Sequence, residues 1–189
     1  MVVVLIIGIT AALATPTITE QVKERRSRDT AQRIAQLYGG ARMRALGRGS
    51  AVMVRYRSTT GFQVIESIQG ATAAAAQNAS SATCAAQPGL GCLANNWSAG
   101  ADTWREVASL VPSSNLTVTA KAQDATTKTS MDICFTPMGR SFLSFDGNPP
   151  TQAMIGATTV DVQRTIDGTL KGLVRTVAIL PNGMARLGL

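Results

Sequence analysis

A chain of 189 residues is long enough for one domain of ordinary size with a further segment attached. Histidine is absent, which removes imidazole acid–base catalysis, Ser–His and Cys–His nucleophile pairs and imidazole metal sites together. The net charge of +7 lies entirely before Ser58, where Lys23, Arg25, Arg26, Arg28, Arg33, Arg42, Arg44, Arg48, Arg55 and Arg57 face only Glu20, Glu24 and Asp29. The remainder carries eight basic and eight acidic residues and is neutral. The abundance of Ala, Thr, Ser and Gly, with 15% charged residues, leans towards a β-rich extracytoplasmic head.

The chain opens on an uncharged, mostly aliphatic run from Met1 to Ile18, ending before Glu20. Its core is Val2, Val3, Val4, Leu5, Ile6, Ile7, Gly8, Ile9 and Leu13, closed by Pro16. A run of about 18 apolar residues reads as a membrane-spanning helix, which satisfies its own backbone in lipid. Two rival readings use the same residues. Ala12-Leu13-Ala14 has the small-x-small form of a signal-peptide cleavage site, but no positively charged stretch precedes it. A plain single-span anchor is the other.

Beyond Pro16, where a bend is expected, the apolar and small positions fall at helical spacing: Ile18, Val22, Ala31, Ile34, Leu37, Tyr38, Ala41 and Ala45. Arg25, Arg28, Arg42 and Arg44 lie mainly off that stripe, as in an amphipathic helix. The expectation is one helix over residues 1–46, with 1–19 as an apolar membrane or filament segment. Gly47 and Gly49 would stop it. Residues 47–189 then form a β-rich head.

Inside the head the period changes to two. Ala51–Arg57 and Gly61–Ile68 read as a hairpin joined by Ser-Thr-Thr-Gly. Residues 71–101 are Ala/Ser/Asn/Gly-rich and aperiodic, a long loop that Trp97 and Trp104 would anchor. Strand patterns return at 116–122, 131–136, 141–145, 160–166 and 173–179, and Pro181-Asn182-Gly183 is a turn.

The three cysteines are an odd count without a C-x-x-C pair, which argues against a zinc or thioredoxin-type site. Cys84 and Cys92 flank a Pro/Gly loop and are expected to pair, leaving Cys134 a buried free thiol in a strand. Pairs of Cys134 with Cys92 or with Cys84 stay open. No metal site and no cofactor are expected.

The run Met1 to Ile9, with Ala11-Ala12-Leu13-Ala14 and Pro16, resembles the N-terminal helix of the type IV pilin and type II secretion pseudopilin superfamily. In the head, Phe135, Pro137 and Gly139, then Arg175, Val177, Ile179, Pro181, Gly183 and Arg186, resemble the GspH/FimT group of minor pseudopilins and minor pilins. The family's cleavage site, methylated first residue and acidic helix residue have no counterpart, so the chain reads as N-terminally truncated, its start misassigned upstream. The basic flank after the apolar run predicts a cytoplasmic side for that flank. The resemblance requires the opposite orientation and takes precedence here.

The resemblance implies an α+β fold, a long N-terminal hydrophobic and amphipathic helix packed on an antiparallel β-sandwich head. It implies a minor subunit that initiates or caps a type IV pilus or type II secretion pseudopilus. Its partners would be other (pseudo)pilins and the inner-membrane assembly platform. It would sit as a single-pass protein of the bacterial inner membrane, its head in the periplasm. The alternative is a DNA-binding minor pilin, with Arg164, Arg175 and Arg186 as contacts. These are few, and phosphate binding needs several cations close together. An anchored enzyme is disfavoured, since no nucleophile–base spacing or phosphate loop is present.

Overall fold

The computed structural model describes the backbone of residues 2–69, 87–88, 91–93, 97–98, 103–145, 147, 150 and 152–188. Side chains are described from Glu24 onwards, except at 69, 87 and 88. Most of the expected loop at 71–101 lies outside these residues.

One helix, α1 (Val2–Arg48), precedes twelve strands among the described residues. These are β1 (Val52–Arg57), β2 (Gly61–Gln69), β3 (Gln87–Pro88), β4 (Trp104–Leu110), β5 (Leu116–Lys121), β6 (Thr127–Lys128), β7 (Ser130–Phe135), β8 (Ser141–Phe145), β9 (Gln152–Ala153), β10 (Thr158–Ile166), β11 (Thr169–Ile179) and β12 (Ala185–Leu187). They form two antiparallel sheets. The larger has the order β3-β2-β1-β7-β8-β9, with β4 also on β2, and the smaller β12-β11-β10-β5-β6. The hairpin read from the period-two pattern is β1–β2, in register from Val52 opposite Glu66 to Arg57 opposite Gly61.

The expected α+β architecture, a long helix packed on a β-sandwich head, is not what is found. Strands dominate, and α1 is not laid against the outside of a closed sandwich. Ala31, Ile34, Tyr38, Ala41 and Ala45 of α1 belong to the same core as Val52, Val54 and Tyr56 of β1, Ile133 and Phe135 of β7, and Val160, Val162, Val177 and Ile179 of the smaller sheet. The two sheets present apolar faces to one core in the manner of a sandwich, but the second half of the helix is itself part of that core. The spacing of three and four places these five residues on one face. Three of them are alanines, which let backbones approach closely. Tyr56 Oη ties the sheets directly by donating to Val118 O of β5 at 2.6 Å.

Tyr38 is fully buried and meets the Phe62 ring edge-on, centroids 6.2 Å apart. Burial, then the charge of Asp132, pushes its hydroxyl pKa up. Among the described residues no partner satisfies that hydroxyl. An unpaired buried hydroxyl destabilises by its lost hydration, so Tyr38→Phe is expected to raise stability by about 1 kcal/mol. Urea unfolding checks this: the midpoint should rise with an unchanged slope. A lower midpoint would show that the hydroxyl is bonded in solution.

The outer face of the larger sheet carries a second, smaller core of Ala51, Met53, Ile65, Cys92, Trp97 and Cys134. Here the expected Cys84–Cys92 pair is corrected: Cys92 is bonded to Cys134, with Cα atoms 5.9 Å apart, and Cys84 lies outside the described residues. The physical reason is that β7 is central and covered on both faces. Ile133 and Phe135 point to the helix side, so Cys134 points the other way. There Cys92 and Trp97 pack against it. Trp97 Nε1 donates to Cys92 O at 2.9 Å, and Arg55 Nη2 donates to Trp97 O at 2.9 Å. Cys134 is buried as expected, but not free.

Candidate assembly interface

The apolar side chains expected to drive assembly, Val2 to Ile9, Leu13 and Pro16, belong to α1, and their surroundings lie outside the described residues. Among the described residues no helix is long and apolar enough to cross a membrane. The second half of α1 is gripped by the head.

The grip near Arg48 centres on Glu66, a β2 residue 1% exposed. Arg44 Nε donates to its Oε2 at 2.9 Å. Arg48 Nε lies 2.5 Å from Oε1, Arg105 Nη2 of β4 lies 3.2 Å from Oε2, and Ser50 Oγ donates to Oε1 at 3.1 Å. One carboxylate thus joins the last turns of the helix to β2 and β4. Arg44 and Arg48 also lie where a helix C-terminus favours cations. Burial pushes the Glu66 carboxyl up, but the Arg44 hydrogen bond and the charges of Arg44, Arg48 and Arg105 outweigh it and hold the carboxyl below its ordinary range. A parallel arrangement on β7 has Asp132, 2% exposed, accepting from Arg57 Nη1 at 2.5 Å and from Arg55 Nε at 3.3 Å.

Halfway along α1, Arg175 Nη2 of β11 donates to Glu24 Oε1 at 2.9 Å. A Cβ on Gly172 would stand 3.2 Å from the Glu24 carboxylate, so the strand backbone runs against the helix there. Further along, a Cβ on Gly183 would meet the Arg42 side chain at 2.7 Å and the Phe135 ring at 2.9 Å. Its φ of 77° is also the left-handed turn conformation that the Asn182-Gly183 pair favours. The second half of α1 and β11 therefore run side by side in the same direction, touching at Glu24 with Gly172 and Arg175 and again at Arg42 with Gly183 in the turn after β11.

The three arginines proposed from sequence for nucleic acid are not equivalent. Arg164 on β10 is only 7% exposed and lines a cavity of about 240 Å³ with Arg26, Asn115 and Asp167. Arg175 is engaged by Glu24, and Arg186 on β12 is exposed.

Sequence reasoning missed the Glu66 cluster, because its partners lie 22 and 39 residues away and a lone acid in an alternating strand reads as solvent-facing. The available signal was the alternation itself. Glu66 shares its parity with Phe62 and Val64, which face the core, and this directs Glu66 to the helix side.

No protein-family model, no curated protein and no solved structure matches the chain.

Proposed function

We propose that the protein is a minor pilin or pseudopilin subunit. It joins a type IV pilus or type II secretion pseudopilus through its N-terminal helix, with other such subunits and the inner-membrane assembly platform as partners. The observation that carries this reading is continuity. The apolar run belongs to the same helix, Val2–Arg48, whose second half is built into the core of the head. A helix apolar all round leaves lipid only by packing against similar helices, so a filament core displays the heads outward. The Cys92–Cys134 bond supports a head in an oxidising compartment such as the periplasm. The nucleic-acid reading draws no support from the burial of Arg164 or the pairing of Arg175.

The test is Ile7→Asp. A charge in mid-run should disfavour membrane insertion by about 2.5–3.5 kcal/mol. It is expected to abolish incorporation into surface filaments or support of secretion, while the head melts at the wild-type temperature by circular dichroism. Normal assembly of the variant would overturn the reading.

A further inference from the structure

The β10–β11 hairpin has an unusual surface. The register shifts between Val162 and Arg164, and within and beyond that bulge the whole first half of β11, residues 169–174, is exposed. Leu170, Leu173 and Val174 are 52%, 62% and 43% exposed, three large apolar side chains in five residues. β12 covers β11 only from Val177 onwards. Lys171 lies among them and is exposed, as are Arg25, Arg26 and Arg28 on the adjoining turns of α1. Asp29 and Asp167 are the exposed acids nearby in sequence, and Glu24 is engaged by Arg175. The surface is therefore apolar at its centre and cationic around it.

Its position matters as much as its composition. Gly172 and Arg175 lie against Glu24, and Glu24 follows the last residue of the apolar run, Ile18, by six residues. At 1.5 Å per residue that is about 9 Å of helix, comparable with the ~5–8 Å headgroup layer on each side of a bilayer.

We infer that the exposed hairpin rests on the anionic phospholipid surface of the membrane that holds the apolar run. This rests on the reading of that run as membrane-embedded. Leu170, Leu173 and Val174 enter the headgroup boundary, and Lys171, Arg25 and Arg28 face lipid phosphates. The head is thereby held upright against the bilayer before assembly, and extraction into a filament must break this contact.

The full chain in nanodiscs of phosphatidylcholine, with and without phosphatidylglycerol, tests it by amide hydrogen exchange of residues 169–174. Slower exchange is expected in the anionic discs, and Lys171→Gln should reduce the protection roughly fivefold, the worth of one cation near an anionic leaflet. Leu173→Asp, on an exposed site and so compatible with folding, should abolish protection there while exchange of 131–135 stays as in wild type. Retention of the chain by the discs reports separately on the apolar run. Loss of retention overturns the membrane reading and this inference with it. Retention with equal exchange at 169–174 in both lipids overturns this inference alone. So does protection that grows with the number of chains per disc, which would assign the surface to a second copy.

Discussion

Replacing Glu66 by Gln is expected to lower stability by roughly 3 kcal/mol, the low end for breaking a buried ion pair. The low end applies because Arg44 and Arg48 keep 36% and 30% of their side-chain exposure, so water takes over part of the lost interaction. Arg105, 11% exposed, is the cation left worst off. The pH dependence carries the same information. The Glu66 carboxyl titrates lower in the folded protein than its ordinary 4.5, so the unfolded chain takes up the proton first as pH falls. Its contribution is complete above about pH 4.5 and drains away as pH drops through the folded value. Denaturant titrations of both proteins at pH 7 and at successively lower pH values check this. The two stabilities should converge below pH 4.5, and a gap that stays constant would mean that Glu66 acts by packing and not by charge.

Cys92→Ser/Cys134→Ser should cost still more. The bond closes a stretch of 42 residues, and the chain-entropy account gives about 4 kcal/mol for a loop of that size. For a domain of this length the melting temperature should fall on the order of 10 °C. Scanning calorimetry of the double variant against the oxidised wild type measures it. The loss should also expose Trp97, which sits over the outer face beside Cys92, and so shift the tryptophan emission to longer wavelength. A fall of only a degree or two would show that Trp97 and the Arg55 bond hold the cover segment without the sulfur bridge.

What was legible in the sequence was whatever repeats locally. The stripe Ala31, Ile34, Tyr38, Ala41, Ala45 gave away the buried face of α1, and the alternation around Ser-Thr-Thr-Gly gave away the β1–β2 hairpin. What depended on distant partners was hidden. β4 was missed because Trp104–Leu110 is half exposed, its register on β2 broken by a shift between Val64 and Ile65. The start of β11, residues 169–172, was missed because its side chains are exposed and Gly172 interrupts any period, so that only 173–179 read as a strand. Cysteine spacing favoured the near pair Cys84–Cys92, whereas pairing follows which face of β7 the thiol leaves from. The role of the helix in the core was misjudged for the same reason. A stripe shows that a face is covered, but not that two sheets share the task of covering it.

The side-by-side run of α1 and β11 has a mechanical meaning. Glu24 stands beside Arg175 and Arg42 beside Gly183, so a pull on the N-terminal end acts along the seam and not across it. The seam is loaded in shear: Ala31, Ile34, Tyr38, Ala41 and Ala45 must all slide together, and the Glu66 clamp lies at the far end of that line. A peeling load would meet these contacts one at a time. A tensile load meets them as one joint, and whatever draws on the apolar run draws on the whole head.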